Sequence, residues 1–462
     1  MRKLVIIITF LILGIKSVYA QNKQVLYNFD EIPQTLLLNP GTETNYRFHA
    51  GIPLLSGISM NFGVTGATVA DLFRQDGVDF NVKYRNVLNK LTADDYVQIH
   101  SQIDVLNGGY RLNDRDYLSA GFYTEIDAYA TVPKDVLTLL NEGNEAYLNR
   151  SFLISQANIK AEALGVLHVG LTRKLSSKLT VGARFKLYSG IVNVTSTNNA
   201  GSFSTRLGED NIYEHYLNGI NVTGYTSGVN NGNNVDKESD ISASKLLGRS
   251  FLGGNLGVGF DIGMTYHLNP QTEITASLLD IGFVSYSEDI RNFTVKGNYI
   301  FSGINFQYDN TNPDYWGDLD RDFNSKVVRE ENTESYTVMR PIKFNSSIRH
   351  QWGKSRNEES CSDISYKDYY NNAVGAQLFS VIRPVGPKFA LTGFYETRLL
   401  EGLKTKITYT VDDFSYSNVG IGLSAKLGIV NIYGMVDNLL KVTDIADAHN
   451  ASFQLGFNLI FK

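Results

Sequence analysis

The chain ends in Ala451-Ser-Phe-Gln-Leu-Gly-Phe-Asn-Leu-Ile-Phe-Lys462, the stretch that indicates the fold most clearly. Large apolar side chains occupy every second position from Phe453 to Phe461, and small or polar residues fill the positions between them. This period of two predicts a β-strand with one apolar and one polar face. A core strand of a soluble sandwich alternates in the same way. A strand whose apolar face meets lipid explains better why the chain stops on a row of uncovered aromatic residues.

The opposite end of the chain predicts export. Two basic residues precede an apolar run from Leu4 to Gly14, and Val18-Tyr19-Ala20 offers small residues at the spacing of a cleavage site. We therefore predict a secretory signal peptide over residues 1–20.

Composition narrows the classes of partner and fold. Removing Arg2, Lys3 and Lys16 from the 42 basic residues leaves 39 against 47 acidic ones, a net charge of −8 that argues against nucleic acid. The single cysteine, Cys361, lies in a polar stretch that predicts an exposed loop. With 27 Tyr, 25 Phe and 41 Gly but a mean hydropathy of −0.16, the chain is aromatic without apolar blocks. Alternating lipid-facing and lumen-facing residues have this effect, although a large periplasmic or surface β-protein has a similar composition.

The order of alternating segments predicts an all-β fold, an antiparallel β-barrel that spans the outer membrane over residues 46–462. Tight turns alternate with long polar connections, as in barrels whose turns are short on the periplasmic side and long outside. Both termini should be periplasmic, which requires an even strand number. We predict about 14 strands, or 16 if residues 46–54 or a loop hairpin joins the wall. Long extracellular loops are predicted near residues 67–98, 132–156, 196–251 and 288–340.

Three local patterns add to this architecture. Residues 21–45 combine turn sequences with the apolar Leu36–Leu38, and they are expected to tuck into the lumen as a hatch or plug. Residues 133–143 begin with proline and end with glycine, which predicts a short helix that covers the rim as a lid. Leu278-Leu279-Asp280 interrupts the period of its strand and predicts a β-bulge.

Four short strings also stand in a characteristic order: Asn39-Pro40-Gly41, Leu279–Phe283, Tyr433–Asn438 and Leu455–Phe461. With the order of the blocks, they resemble an uncharacterised family of Bacteroidota outer-membrane barrel proteins. That family is similar in architecture to the FadL-type long-chain fatty-acid transporters. The resemblance covers essentially the whole mature chain, and it implies the fold and the membrane but no established activity. No stretch matches the ligand pocket of the fatty-acid transporters.

The sequence shows no enzyme constellation. Barrel hydrolases need a serine and a histidine with an orienting polar group, and barrel proteases need acid–histidine pairs. The seven histidines stand singly, without metal-ligand spacing, and His168 and His267 are expected in the lumen as hydrogen-bonded residues. We therefore predict no enzymatic activity, no metal and no cofactor.

One acidic stretch, Asp318-Leu-Asp-Arg-Asp322, has carboxylates at alternate positions that could wrap calcium. An EF-hand loop needs glycine where Phe323 stands and glutamate where Arg329 stands. A solvated acidic loop is therefore the prediction.

Strand parity places a set of charged side chains in the lumen. Such charges are tolerated when they are hydrated or paired, so a water-filled pore and a closed, ion-paired interior both remain open. Mixed signs argue against strong ion selectivity. Since side chains and the N-terminal segment can fill a barrel of this size, we expect a narrow or closed lumen. The predicted lumen-lining residues are Glu125, Asp127, Arg184, Lys186, Asp261, Glu396, Arg398, Lys404 and Lys406.

Two functional hypotheses follow. The first is a narrow channel or conduit for small or hydrophobic molecules, FadL-like by resemblance. The second is a non-transporting scaffold or accessory barrel of an outer-membrane secretion, assembly or surface-protein complex, with loop aromatics such as Tyr213 and Trp316 as anchors for a partner protein. An apolar lumen would favour the first and an ion-paired lumen the second. Outer-membrane lipid and the barrel-insertion machinery, which would bind the C-terminal strand, are the other expected partners.

Overall fold

The computed structural model describes residues 23–208, 213–229, 243–303, 314–354 and 370–461. The predicted signal peptide and Cys361 lie outside the described residues. Within the described ranges, no helix combines the length and the hydropathy that a helical membrane span requires.

Strands dominate the described chain. They are β1 (Phe48–Gly51), β2 (Ile58–Val64), β3 (Tyr96–Arg111), β4 (Asp116–Thr131), β5 (Ser151–Leu153), β6 (Ile159–Lys174), β7 (Leu179–Ser196), β8 (Ala200–Leu207), β9 (Tyr213–Ser227), β10 (Leu256–Asn269), β11 (Thr272–Tyr286), β12 (Asn292–Phe301), β13 (Val327–Asn332), β14 (Tyr336–Met339), β15 (Lys343–Lys354), β16 (Tyr370–Arg383), β17 (Gly386–Leu400), β18 (Leu403–Val411), β19 (Asn418–Leu427), β20 (Val430–Asp437) and β21 (Asn450–Phe461). The α-helices are α1 (Val69–Phe73), α2 (Phe80–Lys90), α3 (Lys134–Glu142), α4 (Ala243–Ser250) and α5 (Tyr315–Lys326), and short 3-10 helices cover Pro33–Leu37, Glu145–Tyr147, Ile154–Gln156 and Leu439–Asp447.

These strands build a closed antiparallel barrel. β1 and β2 are two halves of its first wall strand, and β14 and β15 are two halves of another. The barrel closes where β21 pairs with both halves of the first wall strand, Phe48 lying opposite Phe461 and Ile58 opposite Leu455. The predicted 14-stranded barrel is therefore confirmed.

The wall is apolar outside and polar inside. On β21, Phe453 is 42% exposed, whereas its neighbour Gln454 is 4% exposed. On β10, Phe260 and Ile262 face outward while Asp261, between them, is fully buried. A soluble protein has the opposite polarity. A closed barrel with this polarity has the architecture of proteins that span the bacterial outer membrane.

The two ends of the barrel differ. Turns of two to four residues join β3 to β4, β6 to β7 and β10 to β11 at one end, where the first and last wall strands also have their chain ends. By the rule for outer-membrane barrels, this end is periplasmic. The connections at the other end are mostly long, and their described residues contain strands and helices.

The extracellular connections contain a second antiparallel sheet. Its strands lie in the order β5-β8-β9-β12-β13, and β9 also pairs with the barrel strand β7. Composition predicts long loops over 196–251 and 288–340. The described parts of these regions instead contain strands that pair with one another. The predicted acidic loop is also wrong, because Asp318–Asp322 lies in α5. There Asp318 pairs with Arg321 and Asp322 with Lys326 of the same helix.

Two other local predictions are confirmed. The helix over residues 133–143 is α3, which Pro133 precedes and Gly143 terminates at a φ of +72°. The bulge is also present, since Phe260 pairs with Ile281 and Ile262 with Leu278, so two residues of β11 face a single residue of β10. One of the two, Asp280, has a φ of +60°, and its side chain is buried inside the barrel.

If the outer face of the wall contacts lipid, a charged side chain on it should lower the free energy of unfolding, most strongly near the middle of the membrane. Ile262 is 49% exposed near the middle of its wall strand. An arginine there would place a charge in hydrocarbon, so we expect Ile262→Arg to lower the free energy of unfolding by about 2–4 kcal/mol. Urea unfolding in lipid vesicles measures this. Leu140→Arg, at a position of α3 that is 77% exposed, is the control and should change the free energy of unfolding little. Equal effects of the two substitutions would contradict a lipid-facing wall.

Candidate functional site

The barrel lumen holds the N-terminal segment, residues 23–45. Thr35 and Asn39 of this segment are fully buried. Gln34 and the wall residue Asn458 exchange two side-chain hydrogen bonds of 3.0 Å, and the hydroxyl of Tyr27 lies 2.9 Å from that of Thr275. The segment therefore occupies the interior through contacts with inward-facing polar residues of the wall.

Wall glycines make room for Asn39-Pro40-Gly41. A Cβ at Gly182 would lie 1.9 Å from the carbonyl oxygen of Pro40, and a Cβ at Gly263 would lie 2.1 Å from Asn39 Oδ1. Thr172 donates a hydrogen bond of 2.6 Å to the same Pro40 carbonyl. Larger residues at these two glycine positions would therefore displace the segment. The close packing explains why Asn39-Pro40-Gly41 lies against glycines of the wall.

The segment also has an apolar side. Six of its residues pack into one buried cluster with two wall residues from β20. The cluster consists of Val25, Leu26, Tyr27, Phe29, Ile32 and Leu38 with Tyr433 and Met435. The segment is thus held in the lumen by apolar packing as well as by polar contacts.

An ion-pair layer lies beside the segment. Asp261 lies 3.1 Å from Arg184 and 2.9 Å from Lys186. Asp280, which the bulge turns inward, pairs with Lys186 and, at 2.8 Å, with Lys343. All five side chains are at least nine-tenths buried. Burying these charges is tolerated because each has at least one partner of opposite sign.

The layer continues toward the extracellular end. Glu125 lies 3.0 Å from Arg340, which also pairs with Glu162. Asp127 accepts hydrogen bonds from both terminal nitrogens of Arg383, one of them 3.1 Å long. Of the predicted lumen residues, Glu125, Asp127, Arg184, Lys186 and Asp261 belong to this layer.

The remaining predicted lumen residues belong to a second group of ion pairs, which includes the acidic residues Asp30 and Glu31 of the segment. Arg349 joins Asp30 of the segment, at 2.9 Å, to Glu396 of the wall, at 2.6 Å. Lys406 lies 3.5 Å from Glu396 and also donates to the carbonyl of Tyr27. Arg398 and Lys404 are placed near Glu31 at 3.9 and 2.7 Å. Charge complementarity therefore helps to hold the segment in the lumen.

Sequence reasoning missed several members of these ion-pair groups. It did not assign Arg340, Lys343, Arg349 or Arg383 to the lumen, nor Glu162. Alternation along β15 was an available signal, because Lys343, Asn345, Ser347, Arg349 and Gln351 are all inward and buried. Arg340 lies in the break between β14 and β15, where parity gives no guidance.

Several of the histidines also lie in the lumen, whereas His350 is on the exposed outer face of β15. His267 lies 3.0 Å from Glu43 of the segment, and His168 is buried. His100 lies close to Glu125 and Asp127, and ligand atoms of the three residues are within 4.8 Å of one another. Arg340, Lys343 and Arg383 already neutralise these two carboxylates. Their positive charges disfavour a metal ion at this position.

A cavity of about 700 Å³ opens at the extracellular end, between the barrel rim and the second sheet. Its lining is rich in hydroxyl and amide groups, with Tyr225 and Tyr336 on its wall and Arg340 and Arg383 deeper in. Tyr336 also packs on a contiguous buried cluster that reaches Leu37 of the N-terminal segment. The cluster consists of Tyr123, Leu164, Val166, Tyr188, Val284, Tyr286 and Val338.

Residues 412–417, at the same end, cover another part of the lumen. Phe414 is buried against Tyr96, with ring centroids 5.7 Å apart. Asp412 accepts hydrogen bonds from the backbone N–H groups of Phe414 and Ser415, which lower its pKa. Burial has the larger effect and, with the nearby carboxylates of Asp437 and Asp413, raises the pKa of Asp412 to about 7.

Removing one charge from the ion-pair layer should be costly. Asp280→Asn keeps a residue that tolerates positive φ but leaves Lys186 and Lys343 without this counter-ion, so we expect a loss of about 3–5 kcal/mol in the free energy of unfolding. Asp322→Asn, in the exposed pair with Lys326, is the matched control and should cost about 0–0.5 kcal/mol. Urea unfolding in vesicles compares the two. Equal losses would show that the layer contributes no more than a surface pair.

The raised pKa of Asp412 predicts a pH effect. A folded-state pKa of about 7, above the ordinary value of 3.8, gives stability at low pH that is lost as the pH rises through 7. Asp412→Asn keeps the oxygen that accepts both backbone hydrogen bonds and removes the charge. We expect the unfolding free energy of the native chain, relative to this variant, to fall between about pH 4 and pH 7 and to level off above that. A difference that is independent of pH would contradict the assignment.

Comparison with known proteins identifies a family. The model of a family of unknown function (DUF5723) matches residues 40–437. No curated protein matches the chain. Among solved structures, the toluene transporter TbuX of Ralstonia pickettii is 13% identical, with a TM-score of 0.39 over 95% of this chain and 99% of that chain. A Pseudomonas aeruginosa FadL homologue is 9% identical, with a TM-score of 0.43 over 97% of this chain and 100% of that chain. Since the family match covers most of the sequence, the chain belongs to the family of unknown function DUF5723.

Proposed function

We propose that the protein is a gated outer-membrane conduit for small, mainly apolar molecules, in a state closed by residues 23–45. The observation that carries the proposal is the contiguous apolar cluster that joins Tyr336, on the wall of the extracellular cavity, to Leu37 of the segment. Ion pairs alone would be sufficient to close a lumen. A strip of apolar side chains beside them gives an apolar solute a favourable path, because transfer of such a solute from water to an apolar surface is favourable.

The contacts of the segment are suited to release. Neutral wall side chains supply many of them, such as Ser277, which donates to the carbonyl of Leu38 at 2.7 Å, and Thr265, which donates to that of Gly41 at 2.9 Å. Each such hydrogen bond is worth about 1 kcal/mol net, because water replaces it when the segment moves. The segment can thus act as a gate whose opening leaves a hydrated wall behind.

A second candidate function is the non-transporting scaffold. The ion-paired layer favours it, and so does the extracellular sheet region, where Trp316 is 69% exposed and Tyr213 is 47% exposed. In that case the N-terminal segment would be a permanent core, and a partner protein would bind outside the membrane.

Covalent locking of the segment separates the two candidates. Asn28 donates a hydrogen bond to Ser347, so the side chains at these two positions are in contact, and cysteines there are the pair chosen to lock the segment with a disulfide. In a Cys361→Ser background, we expect Asn28→Cys with Ser347→Cys to abolish entry of an apolar dye, N-phenyl-1-naphthylamine, into intact Gram-negative cells under oxidising conditions. Dithiothreitol should restore entry, because the segment can then leave its seat.

The two single-cysteine variants are the controls, since they cannot form the disulfide. Deletion of residues 23–45 should raise the rate of dye entry above that of the native chain. Dye entry equal to that of cells without the protein in every variant, including the deletion, would contradict the conduit and favour the scaffold.

A further inference from the structure

The apolar wall is shortest at β20. This strand has 8 residues, whereas β7 has 18. Crossing a membrane takes about 9–11 residues. At about 3.3 Å per residue and a tilt of about 40°, eight residues span roughly 20 Å of an apolar band that is about 25 Å tall. On this side of the barrel, something other than β20 must meet the outermost hydrocarbon.

The connection after β20 has the side chains for this contact. In the 3-10 helix Leu439–Asp447, Leu440 is 62% exposed and Ile445 is 64% exposed. These residues directly follow the wall strand, and the helix packs against β19. Apolar groups so exposed are costly in water but favourable in an acyl-chain environment.

A neighbouring connection adds to the same surface. Arg74, which follows α1, lies 3.0 Å from Asp444 in the 3-10 helix. Phe73, next to Arg74, is 66% exposed, and its ring centroid lies 6.1 Å from that of Phe80 in α2, which is 49% exposed. Two connections from one side of the barrel thus carry exposed aromatic and aliphatic side chains.

This surface is continuous with the lipid-facing wall. The two connections leave from β2 and β20, which flank β21 in the barrel. The outward residues of these strands, such as Met60, Ile432 and Phe453, are 47%, 37% and 42% exposed. Charged pairs accompany the apolar groups, for example Lys441 with Asp447, and they suit the headgroup level.

We infer that α1, α2 and the 3-10 helix Leu439–Asp447 form an interfacial collar, which rests in the outer leaflet with Phe73, Leu440 and Ile445 in contact with acyl chains. The collar supplies the apolar height that β20 lacks. This inference is independent of the proposed transport function, since it concerns the outer surface and not the lumen.

Tryptophan fluorescence tests the collar. In the full chain with Trp316→Phe and Trp352→Phe, Leu440→Trp is reconstituted into vesicles of phosphatidylcholine with brominated acyl chains. Bromine quenches tryptophan on contact, so we expect Leu440→Trp to lose as much fluorescence as Phe453→Trp on the wall. Phe73→Trp, in the second connection, should behave in the same way.

Leu140→Trp is the matched control, because this leucine on α3 is 77% exposed, comparable with Leu440. It should retain its fluorescence in brominated vesicles and be quenched by aqueous iodide. All variants must first show the heat-dependent gel migration of a folded barrel. If Leu440→Trp and Phe73→Trp respond to brominated lipid no more than Leu140→Trp does, the collar does not lie in lipid. Protection from iodide together with no bromine quenching would instead indicate a protein cover, and would overturn the inference equally.

Discussion

Inside a lipid bilayer, every backbone N–H and C=O must find its partner within the protein, and this constraint governs the rest of the structure. The chain meets it by closing its sheet, with β21 pairing with both halves of the first wall strand. Closure fixes which side chains face lipid and which face the lumen. The alternation of Phe453 and Gln454, and of Phe260 and Asp261, follows from it directly.

A closed wall of fourteen strands creates an interior that has to be filled or hydrated. This chain fills much of it with its own N-terminal segment and with ion pairs. The acidic residues of the segment meet basic residues of the wall, as Asp30 meets Arg349 and Glu31 meets Lys404. Wall glycines such as Gly182 are the steric counterpart, because they leave the space that Pro40 occupies. Ion pairs and steric fit thus both favour the observed position of the segment in the lumen.

The periodicity of the strands was enough to predict most of the fold, but it predicted only part of the lumen site. Parity along regular strands was enough to assign Glu125 and Arg184 to the lumen, and the broken period at Asp280 was enough to predict the bulge. It could not assign Arg340, because that residue lies between two half-strands. Composition also misled in the long connections, where β8, β9, β12 and β13 form a sheet of their own. Asn, Gly and Ser are frequent around β8 and β9, and they obscure the contrast that marks a wall strand. The grouping of His100 with Glu125 and Asp127 depends on the register of β3 against β4, which no single segment reveals.

The pairing of Phe48 with Phe461 has a further consequence for how the molecule is made. These partners are separated by almost the entire chain, so the seam that they form has the largest loop-closure cost of any contact in the wall. The segment that fills the lumen is joined directly to the first side of that seam. Assembly therefore has a natural order, in which the open sheet curls around the N-terminal segment and the seam forms last.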